Sequence, residues 1–293
     1  MKRIICFILA LLLPILSVGC GDKQSNEDGG EGATLWPSYL TPASMAGDWS
    51  GGLPEGFTLR VGSFNVSAGG NVGGDISALA EEILALDLDI VGIQEVDEGT
   101  ERSDGVYMTK ALADACGFRY YKHTAALDYE GGTYGTAIIS KYRIVDYSEI
   151  HLSTYSSQEP RAIGHARIEI KGFTIDFYNT HLSFESVYTR SRQLNDLKYA
   201  IFSGSNSILV GDFNVVSAAE LALFADEYDI VNNGSMVTFP ENGRPVDDII
   251  LERSWETVDC GAQDVAGKSD HNLLWAEIAY VGDAVWHNPA PEQ

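Results

Sequence analysis

Positive charge is scarce in this chain: 19 Lys and Arg stand against 42 Asp and Glu, a formal charge of −23 over 293 residues. Proteins that grip long nucleic acid present a basic face, because counterion release from phosphates dominates that binding. Bulk nucleic-acid affinity is therefore disfavoured, although a local arginine or a bound cation can still receive one phosphate. Cysteine is scarce too, and of the four, Cys6 and Cys20 fall at the very start, leaving Cys116 and Cys260. Two thiols cannot build a disulfide framework, so a core must hold the fold, with one bridge left open. Nothing repeats at a period of ~20–50 residues, which excludes a solenoid. The length suits one large domain plus a leader, and a monomer is expected.

No apolar run reaches the ~20 residues that a membrane span needs. The longest, about Ile4 to Leu16, follows Lys2 and Arg3 and ends in small residues beside Cys20. That is the layout of a secretory signal peptide over 1–19. A cysteine directly after it resembles the bacterial lipoprotein type, with Ser17 where leucine is usual and Leu16 one place earlier. The resemblance implies an exported protein anchored to a bacterial membrane by a lipid on Cys20; an uncleaved span is the competing reading. Residues 20–56, rich in Gly, Ser, Pro and acids, read as a tether. The domain is expected over 57–280, with a tail over 281–293.

Within the domain, FTLRVGSFNV (57–66) alternates like a strand, and DISALAEEILAL (75–86) has helical spacing behind a capping Asp75. DIVGIQEV (89–96) then reads as a buried strand. The pattern predicts further strands over 118–124, 133–140, 144–152, 163–170, 173–180, 207–211, 246–251 and 272–279, and helices over 106–115, 187–202 and 217–225. Several strands fall in hairpin-like succession, as across Lys171-Gly172. That exceeds what an all-parallel sheet would use, so two packed mixed sheets with helices outside are expected.

Polar residues recur where apolar strands end. SFNV brings Asn65, GIQEV brings Glu95, FYNTHLS brings Asn179 and His181, ILVGDFNV brings Asp212 and Asn214, VDDIIL brings Asp247 and Asp248, and GKSDHNLLW brings Asp270 and His271. Each alone has a plain structural reading: Asn, Asp and Gly form turns, and a lone histidine is as often a hydrogen-bonded support. Glu95 is harder to dismiss, since a carboxylate ending IVGIQ is costly to bury without a partner. Together they fit the habit of α/β proteins to gather a site at strand ends. His123, His151, His165 and His287 are read as structural.

These segments, in this order, resemble the endonuclease/exonuclease/phosphatase superfamily of metal-dependent phosphohydrolases, over about Phe57 to Ala279. The resemblance implies an α/β fold, a four-layer α/β sandwich of two packed mixed β-sheets flanked by helices. It gives Asn65 and Glu95 as divalent-metal ligands or near-ligands, with Asp270 completing the coordination. Asp212 and Asn214 position or activate the attacking water, His181 and His271 bracket the phosphate, and Asp247 orients His271. YGTAIIS carries Thr136 where the family has asparagine, and Arg102 and Arg161 match positions that clamp phosphate oxygens.

A phosphate ester repels a hydroxide unless its charge is neutralised and the attack line held. A hard cation, Mg²⁺ or Mn²⁺, does this with oxygen ligands and only one or two carboxylates. Asp212 and His271 are rival general bases, with Asp212 preferred as base and the His271-Asp247 pair as acid or electrostatic partner. Export and acidity point to a small or lipid-linked phosphodiester or phosphomonoester. A secreted nuclease is the alternative, and a non-catalytic binding lipoprotein on the same fold is a third reading.

Overall fold

The computed structural model describes residues 52–54 and 56–282. The leader, Cys6, Cys20, most of the tether, most of the tail and His287 lie outside the described residues. No helix among those described is long and apolar enough to cross a membrane.

Twelve strands form two six-stranded sheets. In chain order they are β1 (Thr58–Asn65), β2 (Ile90–Glu98), β3 (Tyr120–Tyr129), β4 (Gly132–Ser140), β5 (Arg143–His151), β6 (Ala162–Ile170), β7 (Phe173–His181), β8 (Ile208–Asp212), β9 (Tyr228–Ile230), β10 (Asp247–Glu252), β11 (Trp255–Gln263) and β12 (Leu273–Tyr280). The first sheet runs β11-β12-β1-β2-β4-β3 and the second β5-β6-β7-β8-β10-β9. Both are mixed: β1 with β2 and β7 with β8 are parallel, and the other pairs antiparallel.

Each parallel pair is joined through a helix, because two parallel strands cannot be closed by a hairpin. Helix α1 (Ile76–Ala85) links β1 to β2, and α3 (Val187–Phe202) links β7 to β8. Asp75 caps α1 by accepting from the Ser77 N–H, and Leu79, Ala80 and Ile83 turn inward at helical spacing. Ser186 caps α3 in the same way, through the Thr189 N–H. With α2 (Met108–Cys116), α1 covers one sheet through a core that includes Leu79, Ile83, Leu112, Val91 and Ile139. Over the other sheet, α3 packs Leu194, Leu197 and Ile201 against Tyr178, Leu209 and Phe213. The order is helices, sheet, sheet, helix: four layers.

The faces between the sheets are stapled by polar groups. Asn179 of β7 donates to the carbonyls of Ile93 and Ala137 in the opposite sheet and accepts from Gln94 Nε2 at 2.7 Å, all of it buried. Gly92 makes room for this staple: a Cβ there would lie 2.3 Å from Val210 and 2.7 Å from the Asn179 amide. Asn179, which the strand-end pattern groups with His181, is thus a structural member.

Two features differ from the sequence reading, and the structure answers the question of cysteine pairing that the sequence leaves open. The 217–225 segment winds as a 3₁₀ helix over Ala218–Phe224 rather than an α-helix. β9 and β11 go unpredicted, one with three residues and the other an exposed edge without alternation. Cys116 and Cys260 are both free. Cys116 is the buried last residue of α2, which packs over β2, β3 and β4, whereas Cys260 sits on β11 at the far edge of that sheet.

Candidate active site

The polar strand ends converge because of strand direction. The two parallel pairs put Asn65, Glu95, His181 and Asp212 at or near the C-terminal ends of β1, β2, β7 and β8. Strands β10 and β12 run antiparallel to β8 and β1, so their N-terminal ends arrive at the same place and bring Asp247 and, just before β12, His271. The register is direct: Asp247 pairs with Asp212, and His181 with Asp212.

The centre is a buried chain of contacts. His271 Nδ1 lies 2.8 Å from Asp247 Oδ2, and its Nε2 lies 3.6 Å from Asp212 Oδ2. His181 Nε2 lies 3.3 Å from the same Asp212 oxygen and 3.0 Å from Asn214 Nδ2. Asn214 Nδ2 also donates to the Leu182 carbonyl, and the Asn214 N–H donates to Asp212 Oδ1 at 2.9 Å.

Charge follows from this packing. Burial first, and then the neighbouring Asp247 carboxylate, push Asp212 up to about 7. Burial alone would depress His271, but Asp247 and Asp212 outweigh it and push the imidazole up to about 10. His181 goes the other way, held well below its ordinary value by burial and then by the charges of Arg161 and His271. Two histidines a few ångströms apart thus differ in charge at neutral pH, one neutral and one cationic.

Glu95 reaches the cleft through backbone distortion. The β2–β4 register breaks between Gln94 and Val96, and Glu95 adopts φ +58°, a left-handed conformation that a carboxylate residue rarely takes inside a strand. Asn65 Nδ2 donates to Glu95 Oε1 at 3.0 Å and to Asp212 Oδ2 at 3.1 Å, while its own Oδ1 accepts from the Ser67 N–H. In this arrangement Asn65 fixes two carboxylates and its oxygen is already engaged.

The cleft encloses about 410 Å³ and is lined by Glu95, Tyr134, Glu159, Arg161, His181, Phe184, Asp212, Asn214, Phe239, Arg244, Val246, Asp270 and His271. Arg161 is 3% exposed, with Glu159 Oε1 3.2 Å from its Nη1. Arg102 and Thr136 do not line it. Arg102 is gripped bidentately by buried Asp97, at 2.6 and 2.9 Å, and stacks on Tyr129 and Tyr134. Thr136 is buried in β4.

Tyr134, Phe184, Phe239 and Arg244 escape the sequence reading. Tyr134 stands in the YGTAIIS segment itself, whereas the other three come from loops with no periodicity to mark them. Phe239 packs its ring on His271, centroids 4.9 Å apart, and Arg244 Nη2 donates to the Val215 carbonyl at 3.1 Å.

Two places suit a metal ion. Asp212, Asp247 and His271 have ligand atoms within 4.8 Å of one another, but the 2.8 Å His271–Asp247 contact already serves as a hydrogen bond. Glu95 and Asp270 offer the other. Burial raises the Glu95 pKa, the Asn65 hydrogen bond opposing and the Asp270 charge adding to the rise. Two carboxylates that repel in a cleft, with only oxygen to offer, fit a hard dication that keeps some of its waters.

The profile of the Endonuclease/Exonuclease/phosphatase family matches residues 62–271. No curated protein matches the chain in sequence. Among solved structures, an endonuclease/exonuclease/phosphatase from Beutenbergia cavernae is 19% identical over 78% of this chain and 72% of that one, with a TM-score of 0.63. A mannosyl-6-phosphatase from Bacteroides thetaiotaomicron is 20% identical over 76% of this chain and all of its own (100%), TM-score 0.62. D. rerio TDP2 complexed with a single-strand DNA product is 16% identical over 75% and 98%, TM-score 0.62. At these identities the likeness is one of fold. The family match covers most of the domain and every strand end that builds the cleft, and the chain belongs to the endonuclease/exonuclease/phosphatase family.

Proposed function

We propose that this protein is a divalent-metal-dependent phosphoric ester hydrolase in which an activated water attacks phosphorus directly, without a covalent enzyme intermediate. The observation that carries this reading is the buried line Asp247–His271–Asp212, tied through Asn65 to Glu95. Mg²⁺ or Mn²⁺ held by Glu95 and Asp270 would supply charge neutralisation at the phosphate.

The chain's own groups do the rest. Asp212, with a pKa of about 7, is matched to take a proton from water near neutral pH. The Asn214 N–H and the Asn65 amide fix its two oxygens, which restrains the line of attack. His271 stays an imidazolium under the hold of Asp247 and offsets charge that builds on the phosphate oxygens. Arg161, buried in the cleft wall, clamps those oxygens from another direction.

The substrate in this reading is a small or lipid-linked phosphodiester or phosphomonoester, and the scarcity of positive charge speaks against a polyanion. Anchoring through Cys20 belongs to the same proposal and is supported by the leader sequence. The test is turnover of bis-p-nitrophenyl phosphate and p-nitrophenyl phosphate with Mg²⁺ or Mn²⁺, beside the His181→Ala and Asp212→Ala variants. Metal-dependent release that both variants abolish is expected. No turnover on these or on a panel of natural esters would sink the hydrolase reading, and plasmid cleavage at comparable efficiency would make it a nuclease.

A further inference from the structure

Beside the cleft mouth stand apolar groups that none of the described residues covers. Phe184 lines the cleft yet is 64% exposed, and Val187 and Tyr188, in the first turn of α3, are 53% and 63% exposed. Tyr155, 46% exposed, comes from the loop before Arg161 and packs its ring 6.0 Å from that of Tyr188. The neighbouring Tyr155, and then Arg192 one turn further along α3, draw the Tyr188 pKa down.

This apron is held rigidly. Thr189 Oγ1 donates to Gln158 Oε1 at 2.7 Å, the Glu159 N–H to Glu185 Oε1 at 3.0 Å, and the Ser153 N–H to Asp196 Oδ2 at 2.9 Å, so three bonds pin the 153–159 loop to α3 and its approach. The aromatics on this pinned loop and helix start face water, at a cost in hydration.

A small ester in the cleft would touch Phe184 but not Tyr155, Val187 or Tyr188, which stand outside the lining. Long polyanions are disfavoured by the net charge of −23. Apolar Phe and Val next to tyrosines with polar tips and an arginine match the layering of a lipid interface. We propose that Tyr155, Phe184, Val187 and Tyr188 dock the cleft mouth onto a neutral, zwitterionic lipid surface, so that the substrate is a phosphate ester carried on a lipid. The substrate half of this inference rests on the hydrolase reading; the docking half does not.

Amide deuterium uptake tests it, on the full chain carrying Cys20→Ser so that acylation cannot contribute. With phosphatidylcholine vesicles, uptake over 153–157 and 184–192 is expected to slow about tenfold or more, while β11 is unchanged. Adding Val187→Ser and Tyr188→Ser should abolish that protection and leave bis-p-nitrophenyl phosphate turnover unaltered. No protection, protection spread evenly along the chain, or protection that survives the double variant overturns the proposal. So does concentration-dependent dimerisation lost in the double variant, which would make a second copy the occupant. Failure of the hydrolase reading shows separately, as absent turnover in the parent with vesicle protection intact.

Discussion

Asp247 touches His271 and neighbours Asp212 at once: its Oδ2 lies 2.8 Å from His271 Nδ1, and its backbone is the direct register partner of Asp212. One carboxylate therefore raises two pKa values, the imidazole by attraction and Asp212 by repulsion. In Asp247→Asn both supports go. The pH profile of kcat/KM should move toward lower pH on both limbs, since the base ionises earlier and the imidazolium is lost earlier. A profile that keeps its alkaline limb would show that His271 does not depend on this pairing.

Asp212 carries a stability cost above the ordinary carboxylate range, because burial and the Asp247 charge raise its pKa. Its pKa is about 7 in the fold against an ordinary 3.8, so between those values the folded state holds more protons than the unfolded one. Its contribution to stability falls as pH rises through that window. Asp212→Asn cannot ionise and escapes the fall, so its Tm relative to the parent should rise from pH 4 to pH 6.5 in metal-free buffer, at about 2–4 °C per kcal/mol for a domain of this size. Turnover should be lost in the same variant. A constant Tm difference across that window would contradict the raised pKa.

Asn65 supports Glu95 rather than competing with it. Asn65→Ala should raise the Mg²⁺ concentration needed for half-maximal rate by roughly 10–100-fold, as loss of a supporting group does at metal sites. Titrating the rate with metal decides it, and an unchanged requirement would place the ion elsewhere.

The two arginines are expected to separate. Arg161 faces the cleft, whereas Arg102 is spent on Asp97. Loss of a charged hydrogen bond is worth about 1.5–3 kcal/mol, so Arg161→Ala should raise KM by about tenfold or more, with Arg102→Ala changing it by less than about twofold. Equal effects would return Arg102 to the substrate.

The Asn179 staple is a stability element. Asn179→Ala takes a donor from two buried carbonyls and one of two acceptors from the Gln94 amide, whose Nε2 keeps Ser63 Oγ at 3.2 Å, at about 1–3 kcal/mol for each group left unsatisfied. Urea denaturation should show a loss of several kcal/mol. Loss of under about 1 kcal/mol would mean that the sheets hold without it.

Much was legible along the chain because it depends on local physics. Asp75 reads as an N-cap and is one, and the 187–202 periodicity yields α3 over those residues. Lys171 and Gly172, at φ +52° and +89°, make the turn of the predicted β6–β7 hairpin. Edge strands escape such reading: β11 is largely exposed and β9 pairs for three residues, so only a neighbour defines them.

By itself the sequence determined which polar groups end which apolar strands, and hence the α/β class and the roll of groups available for a site, since strand periodicity and turn chemistry act over a few residues. Tertiary structure decided what those groups face. It set Asp247 in register with Asp212, bulged β2 so that Glu95 enters the cleft, spent Asn179 on the sheet interface, and parted Arg161 from Arg102. Those outcomes turn on register, burial and the charge of neighbours more than a hundred positions apart in some cases, as with Asn65 and Asp212 at a separation of 147.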